Sequence, residues 1–176
     1  MVELNTSRLK IIQLDRENFE LLIKDRAQME KNLGVLQSDY DLDDGFIQIM
    51  NMSLDSGLND IKNFQWYVDW QVILKSENKI IGSLGFKGKP NYKNEVEIGY
   101  GINEKYENNG YMTEAVECVV GWALQQNGVN YIIAETENSN IASHKVLSKN
   151  NFEIYDKKED YIWWKHSNIS ESITEL

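Results

Sequence analysis

A chain of 176 residues with 41% hydrophobic and 26% charged side chains has the length for one domain that buries roughly 70% of its unfolded surface, and its composition excludes a disordered chain. A formal charge of −10 excludes the basic footprint of a nucleic-acid binder; it fits solubility, or attraction of a cationic partner. With one cysteine (Cys118), no apolar signal region and no run near the roughly 18 apolar residues of a membrane span, the expectation is a soluble, cytoplasmic protein without an internal disulfide.

The sequence RLKIIQL (Arg8 to Leu14) predicts a first strand. DRENFELLIKD predicts a helix with Asp15 as N-cap and Phe19, Leu22 and Ile23 on one face. Between Asp39 and Phe64 the helical periodicity is weaker and is interrupted by Gly45 and Gly57, which predicts one or two short helices. From Trp66 to Ile102 three strands follow as a meander, FQWYVDWQVILK, KIIGSLGFKG and NEVEIGYGI, joined by the turns SENK and GKPNYK. The glycines of GSLGFKG lie inside a hairpin, where they mark bulges more readily than a phosphate loop.

A helix to about Asn127, a strand from Asn130 to Thr136, a helix from about Ile141 to Lys149, and strands near Phe152 to Lys157 and Tyr161 to Lys165 complete the order. The fold class is α/β (α+β): a three-layer α/β/α sandwich on a mixed, mostly antiparallel sheet of about seven strands, closed by a parallel crossover. Residues 1–166 form the single domain, and residues 167–176 are expected to fray.

The segment YENNGYMTEA (Tyr106 to Ala115) joins the strand EVEIGYGI to the helix that opens near Glu114. A glycine-containing loop that runs directly onto a helix leaves backbone N–H groups unpaired at the positive end of the helix dipole. Such a loop is an anion cradle suited to a phosphate or pyrophosphate.

IIGSLGF, EVEIGYGINEKYENNGYMTEA and ENSNIASHKVLSKNNF, in this order and spacing, resemble the GNAT superfamily of N-acetyltransferases, in particular its RimJ/RimL-like branch that acetylates ribosomal-protein N-termini. The likeness extends from Thr6 to the last strands. It implies acetyl-CoA as acyl donor and CoA as product. The family's loop, Gln/Arg-x-x-Gly-x-Gly/Ala, falls on Glu107 to Met112: Gly110 matches, whereas Glu107 and Met112 depart from it. The resemblance assigns the pyrophosphate to the backbone of Asn108, Asn109, Gly110, Tyr111, Met112 and Thr113, with the Thr113 hydroxyl as a further donor. It assigns the pantetheine to the strand edge Tyr100, Gly101 and Ile102 and to Asn140, and places Ser143 near the thioester sulfur. Asn151 stands where the family has glycine, and asparagine tolerates the left-handed backbone needed there.

Transfer to an amine needs a neutral nucleophile, a polarised thioester and a proton for the leaving thiolate. At pH 7 an α-amine costs about 1 kcal/mol to deprotonate, and a lysine-like amine about 4 to 5. Glu97 matches the family's strand glutamate and is the candidate base, directly or through one water, with Glu95 in reserve. Alternation puts both on one face with Gly99, so a solvated strand face remains the alternative. The family's tyrosine acid falls on Leu147, which leaves Ser143 as the candidate proton donor or a simple first-turn hydroxyl. A backbone N–H near Ile102 could polarise the carbonyl. His144 and His166 have no second ligand at metal spacing, and no metal is implied.

The acidic run SDYDLDDG (Asp39, Asp41, Asp43, Asp44) falls where the family binds its acceptor. It is either an exposed loop or an attractor for a cationic acceptor: a peptide N-terminus, a polyamine or an aminoglycoside. The expected activity is acetyl transfer from acetyl-CoA to a primary amine by a monomer or homodimer. The alternative is an acyl-CoA-binding sensor without efficient catalysis, which Glu107 and Leu147 would favour.

Overall fold

The computed structural model describes residues 1–167, and most of the expected frayed tail lies outside the described residues. Eight strands form one sheet in the order β1 (Glu3–Asn5), β2 (Leu9–Gln13), β3 (Asp69–Leu74), β4 (Lys79–Phe86), β5 (Glu95–Ile102), β6 (Tyr131–Glu137), β8 (Tyr161–Ser167) and β7 (Glu153–Lys157). Neighbours are antiparallel except β5 with β6. The strand beyond the expected seven is β1, whose three residues, Glu-Leu-Asn, are too few to show alternation. Ser167, expected to fray, ends β8 opposite Tyr131.

Helices cover both faces. On one side α1 (Arg16–Lys24), α2 (Arg26–Asn32) and α3 (Asp44–Asn59) pack Phe19, Leu22, Met29 and Leu54 onto Ile12, Val68, Ile73 and Ile80. On the other, α4 (Tyr111–Ala123) and α5 (Ile141–Lys149) pack Val116, Val119, Val120 and Leu147 onto Trp70, Leu84, Val96 and Ile98. The two periodicities explain this arrangement. In α4 the buried residues recur at helical spacing, and in β5 Val96 and Ile98 face α4 while Glu95, Glu97, Gly99 and Gly101 face the opposite layer.

Asp15 caps α1 as expected, accepting the Asn18 N–H at 3.0 Å. The next segment differs from expectation in three places. Asp25 ends α1 and also caps a further helix, α2, accepting the Gln28 N–H; a chain this short between two turns gave no periodic signal. Residues 44–59 form one continuous helix despite Gly45 and Gly57. Asp43 caps it at 2.8 Å, and Gly57 fits closely under Phe64 and Tyr67, where a Cβ would come within 2.9 Å of the Phe64 ring. The packed face outweighs the roughly 1 kcal/mol propensity cost of each glycine. Residues Ile61–Trp66 form a 3-10 turn rather than the start of β3.

Two helix ends complete the frame. α4 stops at Ala123, short of Asn127, because the Gln125 and Gln126 amides turn back to Trp122 and Ala123 ahead of Gly128 at φ +82°. α5 ends on Asn151 at φ +58°, with Phe152 N–H bonded to the Leu147 carbonyl and Asn151 N–H to that of Ser148. This is a Schellman end with asparagine in glycine's place, with Leu147 and Phe152 both buried in the same core cluster.

Candidate active site

The parallel pair β5 and β6 is short. Glu95–Glu97 pair with Tyr131–Ile133; beyond that rung β5 stays with β4 through Ile102 and β6 stays with β8 through Glu137. The facing edges therefore part into a wedge with unpaired backbone on both sides, available for strand-like pairing by an extended ligand.

At the mouth of the wedge the chain passes through a short 3-10 turn (Glu104–Tyr106) into α4. Asn108 and Gly110 both take left-handed backbone, at φ +61° and +76°. Among the described residues no acceptor bonds the N–H groups of residues 108–113, which converge on the N-terminus of a 13-residue helix. Asn109 braces the loop by donating its side-chain amide to the carbonyls of Tyr106 and Glu107. Met112 is buried in the core, leaving its N–H at the helix end. Glu107 is exposed and joins no ion pair among the described residues.

Sequence reading missed the brace beneath this loop. Arg8 donates from Nε to Glu114 at 2.7 Å and from Nη1 to the Asn109 carbonyl at 2.9 Å, and its guanidinium lies 4.6 Å from the Tyr111 ring centre. Glu114 also accepts from the Thr6 hydroxyl and the Arg8 amide. Burial alone would raise this carboxyl, but these donors outweigh it and hold it down at about 2. The β1–β2 turn is thus tied to the first turn of α4. Its only sequence trace was the Thr-Ser-Arg that precedes β2.

On the helical side of the wedge the structure brings together Tyr100, Asn140 and Ser143. Asn140 caps α5 by accepting the Ser143 N–H at 3.0 Å, and the Tyr100 hydroxyl donates to the Ser143 carbonyl at 3.2 Å. Burial pushes the Tyr100 phenol up to about 12, against the Ser143 contact, so it stays protonated at neutral pH. Gly101 is exposed and Ile102 half-buried at the end of the edge. Leu147 is fully buried and serves as core.

On the opposite face, Glu97 stands on the last parallel rung and is ion-paired with Lys87. Glu95 is paired with Lys165 at 2.7 Å and with Asn91 at 3.0 Å; burial raises its carboxyl, yet these partners leave it below the usual range. The two pairs differ in freedom. Lys165 also lies over the Tyr131 and Tyr155 rings, whereas Lys87 is more than half exposed and lines a cavity of about 870 Å³.

That cavity lies between the sheet and α1 and α3, with Phe46, Ile49 and Met50 on one wall and Gly85, Gly99 and Gly101 on the floor. The acidic run is less free than its sequence suggests. Asp39 is paired with Lys105 at 2.8 Å and Asp43 caps α3, whereas Asp41 and Asp43 line the cavity mouth. The glycines of β4 prove partly structural: the register shift between Val72 and Ile73 is a bulge beside Gly82.

A mixed sheet parted at its single parallel pair, with free amides at the mouth and a cavity across the sheet, defines the acyl-CoA-type N-acyltransferases. Residues 8–153 match the acetyltransferase (GNAT) domain family, and the chain belongs to it; it is an acetyltransferase. It is 29% identical over 166 residues to the uncharacterized N-acetyltransferase YjdG of Bacillus subtilis (strain 168), covering 93% of this chain and 97% of that protein. Among solved structures it is similar to the ribosomal-protein-S5-alanine acetyltransferase of Vibrio fischeri, with a TM-score of 0.65, 18% identity and 96% and 97% of the two chains covered. It is also similar to RimL, the ribosomal L7/L12 α-N-protein acetyltransferase, in complex with coenzyme A, with a TM-score of 0.66, 13% identity and 94% and 98% covered. The two structural likenesses are likenesses of fold.

Proposed function

We propose that this protein transfers the acetyl group of acetyl-CoA directly to a primary amine, a peptide α-amine or a small cationic amine, in a ternary complex. The observation that carries the reading is the alignment of unpaired N–H groups 108–113 with the unpaired β5 edge, one suited to a pyrophosphate and the other to an amide-bearing arm. Bound acetyl-CoA supplies an activated acetyl thioester. The amides of residues 108–113 hold its pyrophosphate, with the Thr113 hydroxyl as a further donor, and Tyr100–Ile102 and Asn140 hold the pantetheine.

Glu97, on the cavity side of the last rung, takes the proton from the acceptor nitrogen, directly or through one water, as its C–N bond forms. A backbone N–H near Ile102 polarises the carbonyl, and the Ser143 hydroxyl donates a proton to the leaving sulfur as the C–S bond breaks, recovering one from solvent water while Glu97 releases its own to solvent. The bond from Tyr100 to the Ser143 carbonyl fixes the turn that presents this hydroxyl.

Thiol release from acetyl-CoA, followed across a panel of peptides and amines, tests the reading, with Glu97→Gln as control. Amine-dependent release that falls about 100-fold or more in the variant supports it. Unchanged turnover would remove Glu97 as the base, and absence of release with every amine would remove amine acetylation.

A further inference from the structure

The cavity floor contains two kinds of glycine. A Cβ on Gly82 would overlap the Gly101 carbonyl, so the pairing of β4 with β5 requires glycine there. Gly99 and Gly101 are under no such demand: a Cβ on Gly99 would meet only Lys87 Cε at 3.9 Å, one on Gly101 would meet nothing within 4 Å, and neither has a positive φ. Glycine within a strand weakens it, and here the fold gains nothing in return; a bare strand face is what close approach of a ligand needs.

Register turns this bare strip into a track. Asp69 lies opposite Gly85, which lies opposite Gly99; Gln71 lies opposite Ser83, which lies opposite Gly101. The track starts at the β5 edge of the wedge and ends two strands away at Asp69 and Gln71, only 4% and 2% exposed but part of the cavity wall. Gln71 Nε2 donates to the Asp69 carboxyl, and its other polar neighbour is Ser83, opposite Gln71 in the register. Neither partner is charged, so a buried carboxyl with lone pairs to spare ends a track walled by Phe46, Ile49 and Met50. Burial without a counter-charge keeps such a carboxyl protonated, and in that form its carbonyl oxygen still accepts a hydrogen bond from a donor on the ligand.

We propose that the acceptor is an amphipathic amine whose apolar body lies over Gly85, Gly99 and Gly101 and whose far end carries a hydrogen-bond donor received by Asp69 and Gln71. Two strand spacings, about 10 Å, separate that donor from the nitrogen that reacts at the wedge. The inference rests on the acetyltransfer reading only for which nitrogen reacts. Asp69 is then a specificity residue that acts on the end of the acceptor remote from the chemistry.

Matched probes test it: α,ω-diaminooctane, long enough to reach both ends, against octylamine, which lacks the far donor. Thiol release and calorimetric binding to the CoA complex are measured separately with wild-type protein, Asp69→Asn and Asp69→Leu. The expected result is a wild-type preference for the diamine of about tenfold or more in KM or Kd at similar kcat, falling to about twofold in Asp69→Leu. Gly99→Ala, which has room for its methyl, keeps wild-type Tm but raises KM for both amines, a readout that stays informative if Asp69→Leu fails to fold. Equal binding of the two amines by wild-type protein overturns the proposal. Preferential diamine binding without acetylation would overturn the acetyltransfer reading and leave the subsite standing.

Discussion

The guanidinium of Arg8, just before the second strand, and the carboxylate of Glu114, in the first turn of α4, meet at 2.7 Å directly beneath the loop that opens that helix. The pair places a negative charge where a helix N-terminus favours one and shields it with a cation that also holds the Asn109 carbonyl. Because the folded Glu114 carboxyl is held at about 2, against 4.5 as the ordinary value, its contribution is full above pH 4.5 and is lost as pH falls toward 2. With a discount for partial solvent screening, Glu114→Gln is expected to cost about 1–2 kcal/mol at pH 7. The difference from wild type should shrink below pH 4. Urea midpoints across pH check it, and a pH-independent difference would sink the linkage.

The left-handed backbone at Gly110 gives a prediction with its own control. Gly110→Ala must hold alanine at φ +76° at about 1–2 kcal/mol, and any relaxation turns the amides of the cradle. Gly34→Ala meets a similar φ of +68° with open space for its methyl. Both variants should lose similar stability in thermal melts, but only Gly110→Ala should weaken CoA, by about tenfold. Equal CoA affinity in the two variants would show that the loop backbone does not hold the ligand.

The parts of this molecule set by local pattern could be read from its sequence. The alternation in EVEIGYGI marked the faces of β5, Asp15 marked a helix start, and Gly110 before an apolar run marked the loop. What escaped depends on partners distant in the chain. Gly45 and Gly57 read as breaks because propensity is local, whereas Phe64 and Tyr67 pack over Gly57 only in the fold. Arg8 and Glu114 are 106 positions apart. Asp69 read as one residue of a strand because its burial beside Gln71 and Ser83 is set by register, which depends on the bulge near Gly82.

Asp69 has the opposite linkage to Glu114. Burial pushes its carboxyl well above the usual carboxylate range, and the bonds from Ser83 and Gln71 only partly offset this. The folded state keeps a proton that the unfolded chain releases near pH 4, so this group lowers stability as pH rises from there toward its folded value. Asp69→Asn removes the titration and keeps the shape. The variant should gain on wild type as pH rises above the unfolded value near 4, as read from urea midpoints in the absence of acceptor; a constant gap would mean that Asp69 is ionised throughout.

Lys87 and Glu97 make the last prediction, because their ion pair occupies the carboxylate proposed as the base. Lys87 is 57% exposed on its side chain, so its grip is weak and screened by salt, and an acceptor ammonium can take its place. Lys87→Met should therefore lower the KM of a cationic acceptor severalfold at low salt while kcat holds, and the gain should fade at high salt. Glu97→Gln should do the reverse, lowering kcat by about 100-fold or more. The double variant then matches Glu97→Gln alone, since Lys87 acts only through that carboxylate. Steady-state thiol release gives all four values. A fall in kcat for Lys87→Met would mean instead that the lysine orients Glu97 for proton transfer, and the competition between ammonium groups would have to be abandoned.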